Sequence, residues 1–332
     1  MVLKETLVTD EVSENPYYRQ LLVQSFPAPL RERFNAAMDN HPLRREIIAT
    51  KLANNIVNDM GLNFMVRMHE ETGASDAEIA LCYSIAREIF ALPTTWSEIS
   101  ALDNQVDAAV QTEMLYQLRR TVRRATRWFL RHRNKALTIE QSIEHFAPCF
   151  KDLTDNLHSY MVSAESEQIR KNATALADKG VPAQLAMRIV SLSSLFSAMD
   201  LAEVATQSKR PTAIVSSTYF KLGARMGLHW FLTQITNQPV QNHWQALARA
   251  SYREELDWQQ RTLTDVVLRS FDDKEQDVDA QIDAWMDAND ALLHRWQQML
   301  SEFKTSQSHD FAKFSVALRE LMLLAHNCDQ RN

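Results

Sequence analysis

The chain has 332 residues, enough for about two domains or one extended helical assembly. With only 5 glycines and 9 prolines it lacks the turn residues that strand-rich folds consume, so it reads as all-α, with long helices joined by short loops. A net charge of −6 argues against a protein that coats nucleic acid, and the widely spaced trio Cys82, Cys149 and Cys328 reads as reduced thiols in a cytoplasm rather than a disulfide framework.

No stretch reaches the roughly 18 apolar residues of a membrane span, and no signal-peptide pattern opens the chain. Residues 1–25 read as a linker or extension from something upstream, with turn signals at Asn15-Pro16 and Phe26-Pro27-Ala28-Pro29. A short helix is predicted from Leu30 to about Met38. Pro42 then suits a first helical turn, and Ile48, Leu52 and Ile56 recur every four residues, flanked by Leu43 and Ile47. Asn54, Asn55 and Asn58 disfavour a helix interior, so they predict either side-chain bonds to nearby helix ends and loops or a polar contact with a ligand or partner. Gly61 reads as a left-handed cap.

Asn63–Thr72 is a predicted short helix ending at Gly73. Ser75-Asp76-Ala77-Glu78 has the form of a capping box, opening a helix with Ile79, Tyr83, Ala86, Ile89 and Phe90 inward. Thr95-Trp96-Ser97-Glu98 and Thr138-Ile139-Glu140-Gln141 predict two further helix starts, and a break is expected at Pro148. Gly180-Val181-Pro182 is a stop followed by a start, and helices are expected through Leu195, over Asp200–Gln207 and over Pro211–Met226. Two very long helices, Trp244–Phe271 and Val278–Phe303, are expected as antiparallel bundle partners, with a final helix over Phe311–His326. A self-match at an offset of 136 residues sets Ile79 on Val215, Tyr83 on Tyr219, Leu92 on Leu228 and Ile99 on Ile235, which implies two related helical lobes. The expected domains are 1–25, the extension; 26–137, a first lobe with a basic helix; 138–238, a second lobe; and 239–332, a long-helix bundle.

The basic helix is predicted from about Asp107 to Arg133. Arg119, Arg123, Arg127 and Arg131 line up on it at four-residue spacing, which is repulsive without a counter-charge, a phosphate or full hydration. The expected counter-charge is acidic surface on this chain or on a neighbouring domain, with Asp272, Asp273, Glu275, Asp277, Asp279, Asp283, Asp287 and Asp290 as candidates in the chain itself. The turns before Ser75 and Pro211 have a helix-turn-helix look, but Asp76, Glu78, Thr212, Ala213 and Ile214 are unsuited to reading DNA. Gly61, Gly73, Gly180, Gly223 and Gly227 do not fit a G-x-G-x-x-G fingerprint or a phosphate-binding loop, and zinc spacings and a G-x-S-x-G elbow are lacking. The residue pattern gives no catalytic, cofactor or metal site; the candidate interaction surface is Arg44, Arg45, Asn54, Asn58, Arg119, Arg123, Arg127 and Arg131.

The run His41-Pro42-Leu43-Arg44-Arg45-Glu46-Ile47-Ile48-Ala49-Thr50, with Asn54, Val57-Asn58 and Gly61, closely resembles the C-terminal region of the large bacterial NAD-specific glutamate dehydrogenases. Glu70-Glu71-Thr72-Gly73-Ala74-Ser75, Leu102-Asp103-Asn104, Arg124-Ala125-Thr126-Arg127-Trp128, Gly227-Leu228-His229-Trp230 and Trp244-Gln245-Ala246-Leu247-Ala248-Arg249 carry the same resemblance. It implies a cytoplasmic, homo-oligomeric whole enzyme that deaminates L-glutamate to 2-oxoglutarate and ammonia with NAD. In that family the catalytic lysines and the nucleotide-binding fold lie upstream, so no catalytic residue transfers to this chain. The implied role is a non-catalytic helical domain, binding no cofactor itself, that partners the catalytic region of the same enzyme without nucleic acid or membrane. The alternatives are a stand-alone helical adaptor and a lid that completes the dehydrogenase active site.

Overall fold

The computed structural model describes residues 2–271, 277–306 and 310–330; among them every regular element is helical and there is no strand. Contacts divide the chain into two units, Met1–Ala147 with Asn172–Phe196, and Pro148–Lys171 with Ser197–Asn332.

In the first unit the short helices α1 (Val2–Thr6), α2 (Asp10–Ser13) and α3 (Arg19–Gln24) lie against α5 (Arg44–Met60), with α4 (Ala28–Phe34) beside them in sequence. The helix expected to begin at Pro42 starts two residues later, with Leu43 as its N-cap, 56% exposed rather than on the apolar face. The helix closes on Gly61, whose amide bonds to the Val57 carbonyl; its φ of +86° with ψ of 166° lies outside the left-handed helical region but in another that only glycine adopts freely. After α6 (Phe64–Thr72) comes α7 (Asp76–Ile89), opened by the full reciprocal capping box of Ser75 and Glu78. Ile79, Tyr83, Ala86, Ile89 and Phe90 are all buried. Each large apolar side chain so buried is worth about 1.5–3 kcal/mol. The following helix, α8 (Leu92–Ser100), begins before the expected Thr95: Ala91 takes a left-handed turn, Pro93 occupies the first turn, and Thr95 is buried inside. The basic helix α9 (Ala108–His132), capped by Asp107, packs along α7 with Met114, Leu118, Val122, Ala125 and Phe129 buried.

The next helix, α10 (Ile139–Tyr160), opens with a second reciprocal box between Thr138 and Gln141. It runs through Pro148 without the expected break; the proline marks the passage from the first unit to the second. The first unit also holds the end of α11 (Ser163–Ala177) and α12 (Ala183–Leu195), which packs on α8 and α9.

In the second unit, α13 (Ala198–Ser208), α14 (Thr212–Arg225), α15 (Leu228–Asn237) and α19 (Phe311–Asp329) all pack on α16 (His243–Arg269). The long helix expected over Val278–Phe303 is two helices, α17 (Val278–Ala288) on α14 and α18 (Asp290–Thr305) on α19. The buried Asn289 breaks it and donates its side-chain amide to the Trp285 carbonyl at 2.9 Å. The antiparallel partners differ from those expected. Arg295–Glu320 and Phe303–Phe314 contacts make α18 and α19 antiparallel. Tyr252 bonding to the Phe311 carbonyl and Arg269 pairing with Asp329 make α16 and α19 parallel. Phe231, Trp296, Phe303 and Phe314 fill the space between them, and the Trp296 indole N–H donates to the Met226 carbonyl at 2.9 Å.

The internal offset has a structural counterpart. Asp76–Ile89 and Thr212–Arg225 begin and end 136 residues apart, and α6, α7, α8 and α9 pair among themselves as α13, α14, α15 and α16 do. The left-handed residues coincide at this offset, Gly73 with Lys209 and Ala91 with Gly227. So do two local hydrogen bonds: Thr72 to the Met68 carbonyl matches Ser208 to the Val204 carbonyl, and Ala74 N–H to Thr72 matches Arg210 N–H to Ser208. Along the last helix the offset becomes 138: Leu118 and Leu256 are buried alike, and Thr126 to the Val122 carbonyl matches Thr264 to the Gln260 carbonyl.

Candidate interaction surface

The arginine ladder of α9 lies along the C-terminal ends of two helices. A helix C-terminus exposes unsatisfied carbonyls and partial negative charge, so cations settle there. Arg119 takes the end of α5: its Nε donates to the Asp59 carbonyl at 2.7 Å and its Nη2 to the Asn58 carbonyl at 3.0 Å, while its guanidinium lies 4.6 Å from the Trp96 ring centroid. Arg131 reaches the end of α6, with Nη2 3.4 Å from the Glu71 carbonyl. Arg127 is buried and forms an ion pair with the Glu71 carboxylate. These contacts discharge much of the repulsion that four-residue spacing creates.

Arg123 stands apart. It is half-buried, and among the described residues its guanidinium makes neither a hydrogen bond nor an ion pair. Burial pushes its pKa below the ordinary arginine value, and the charges of Arg127 and Arg67 add to that push, against Glu71 and Tyr116. Apolar surface is exposed nearby in sequence, with Leu62, in the turn before α6, 80%, Val66 of α6 58% and Tyr116 of α9 54% accessible.

The other expected surface residues separate into distinct places. Arg44 pairs with Glu14 at 2.9 Å and Arg45 with Asp10 at 2.6 Å, tying α5 to the N-terminal segment. Asn54 and Asn58 are exposed, and among the described residues their side chains make no hydrogen bond, so the expected bonding to helix ends falls to the Asn58 backbone carbonyl alone. An acid of this chain that meets the ladder is Glu71, while two of the acidic candidates further along are engaged elsewhere. Asp279 binds Lys221 and Arg225 at 2.5 and 2.8 Å, and Asp283 binds Arg225 at 3.0 Å, within the second unit. Asp272, Asp273 and Glu275 lie outside the described residues.

A family model described as glutamate dehydrogenase, C-terminal, matches residues 1–323. The chain belongs to that family. Among curated relatives, the NAD-specific glutamate dehydrogenase of Pseudomonas aeruginosa is 39% identical over 98% of this chain, and that of Halomonas elongata is 36% identical over 98%. The enzyme of the same name from Mycobacterium tuberculosis is 29% identical over 96%. In each case the chain spans 20% of the relative's length.

Pattern reading of this glutamate dehydrogenase C-terminal chain missed a polar knot beneath the ladder. The Tyr83 hydroxyl donates to Asp59 at 2.5 Å, and Arg87 pairs with the same carboxylate at 3.0 Å. Burial and the Asp59 charge raise the Tyr83 pKa far above the ordinary tyrosine value, so the phenol stays neutral and holds the end of α5 against α7. Only the inward register of Tyr83 hinted at it. Among the described residues no three His, Cys, Asp or Glu side chains gather into a metal-binding group, and no single helix is long and apolar enough to cross a membrane.

Proposed function

We propose that this chain is a non-catalytic helical domain of an NAD-specific glutamate dehydrogenase, the cytoplasmic, homo-oligomeric enzyme that oxidatively deaminates L-glutamate to 2-oxoglutarate and ammonia. Its role is to pack on the catalytic region of that enzyme and support assembly or regulation, with NAD bound elsewhere in the polypeptide. The observation that carries this reading is the family match over residues 1–323 in relatives five times as long, all named for that activity. The surface offered to the catalytic region is the outer face of α6 and α9 with the turn before α6, where Leu62, Val66 and Tyr116 supply apolar area and Arg67 and Arg123 supply charge. Large exposed apolar side chains beside unneutralised charge are what a docking face requires.

The test is twofold. The isolated chain is expected to give no glutamate-dependent NAD reduction and no heat of binding with NAD; turnover overturns the non-catalytic reading. In the full-length enzyme, Val66→Asp with Tyr116→Asp is expected to weaken assembly in sedimentation velocity, whereas the same pair at Val316 and Met322 on α19 is not. Equal behaviour of the two pairs overturns the choice of face.

A further inference from the structure

The duplication supplies an internal control for Arg123, which has no ion-pair partner among the described residues. At the offset of 138 fixed by the Thr126 and Thr264 back-bonds, Arg123 corresponds to Arg261 of α16. Arg261 is neutralised from α13, with Asp200 at 3.6 Å and Glu203 at 3.9 Å. At the offset of 136 fixed by the matched bonds of Thr72 and Ser208, those acids correspond to Phe64 and Arg67 of α6. One lobe therefore sets carboxylates before its arginine; the other sets an apolar ring and a second arginine there. Arg67 is exposed, and among the described residues its side chain, like that of Arg123, makes no hydrogen bond or ion pair. Glu71, whose charge reaches Arg123, is already bound to Arg127.

We propose that Arg67 and Arg123 form a carboxylate-binding site, filled from outside the chain by the group that Asp200 and Glu203 supply internally in the second lobe. Two guanidinium groups whose charges interact match the two oxygens of a carboxylate, and the half-burial of Arg123 strengthens its bond relative to open water. The carboxylate arrives either on a free dicarboxylate or on an acidic side chain of another polypeptide segment. The site does not depend on the docking role proposed above.

The experiment is thermal unfolding of the chain at fixed ionic strength, with glutarate, acetate or chloride as the varied anion. Glutarate or acetate is expected to raise the unfolding midpoint saturably, and Arg67→Gln and Arg123→Gln each to weaken that binding about tenfold. Arg295→Gln, far from the site in sequence and already paired with Glu320, is expected to leave it unchanged. Arg67→Glu, which supplies the counterpart of Glu203, is expected to raise the anion-free midpoint by roughly 2–5 °C and abolish the anion response. Glutarate tighter than acetate assigns a free dicarboxylate; equal binding assigns a side-chain carboxylate. A response no greater than that to chloride, one that survives Arg123→Gln, or an Arg67→Glu chain no more stable than the parent overturns the site.

Discussion

Gly223→Ala tests the packing of the second unit at its tightest point. A Cβ at this position falls 2.5 Å from Gln260 Nε2 and 2.6 Å from His229 Nε2, closer than van der Waals contact permits. Neither neighbour is free to swing away. Gln260 donates to the Tyr219 carbonyl at 3.1 Å and lies 3.2 Å from His229 Nε2, and His229 donates from Nδ1 to Glu165 at 2.7 Å. Overpacking costs about 1–3 kcal/mol. Displacing the Gln260 amide strands a buried hydrogen-bonding group for about 1–3 kcal/mol more. The better helix propensity of alanine offsets about 1 kcal/mol. The net expectation is a loss of about 3 kcal/mol, or roughly 6–12 °C in the midpoint of a unit this size. Urea unfolding followed by circular dichroism measures it, and Gly223→Ala with Gln260→Ala is expected to cost less than the two changes added together. A single variant within about 0.5 kcal/mol of the parent, or one more stable, refutes the argument that this glycine exists to admit the amide.

Three further outcomes follow from the first unit and the thiols. The Lys135 ammonium and the Ser75 backbone N–H hold the Glu78 carboxyl below its ordinary value of 4.5, so its contribution is complete above that pH and lost as pH falls through the lower folded value; Glu78→Gln is expected to flatten the acid limb of a stability–pH curve. Arg127→Met strips the part-buried Glu71 carboxylate of its ion-pair partner, leaving the charge of Arg123 to answer it, and is expected to cost about 3 kcal/mol by chemical unfolding, while adding Glu71→Gln recovers part of it. Burial pushes the Cys82 and Cys149 thiols up to about 12, so iodoacetamide at pH 8 is expected to label them only after unfolding, as read by mass spectrometry.

Local chemistry was the most legible part of the fold. The Ser75 and Thr138 boxes need only four residues to specify, and both helices start where those residues demand. The same pattern misled at Thr95, because Ala91 in a left-handed conformation, followed by Pro93 in the first turn, had already opened the helix. Pro148 failed as a breaker and Asn289 succeeded, since tertiary packing decides which weak helix position yields. The parallel course of α16 and α19 depends on pairings across about 60 residues, such as Tyr252 with Phe311, and periodicity carries no such information. On the candidate surface the ladder was visible as charge, but its partners were not. Arg119 and Arg131 are answered by backbone carbonyls, which every residue carries and no composition reveals.

The two lobes show how one helical plan keeps its polar ties while its residues diverge. In the first, Arg87 projects from α7 to Asp59, which also receives the Tyr83 hydroxyl. At the offset of 136 the counterparts of Tyr83 and Arg87 are Tyr219 and Gly223, so the tyrosine persists and the arginine is gone. Its loss opens the space that Gln260 enters from α16 to bond the Tyr219 carbonyl, with His229 standing where the first lobe has Pro93. The tie has moved from a charged side chain on the central helix to a neutral amide on its neighbour. A glycine here is therefore bound to its partners' identities: restoring a side chain at 223 is harmful only while Gln260 and His229 fill the gap, and the coupling in the double variant measures that dependence directly.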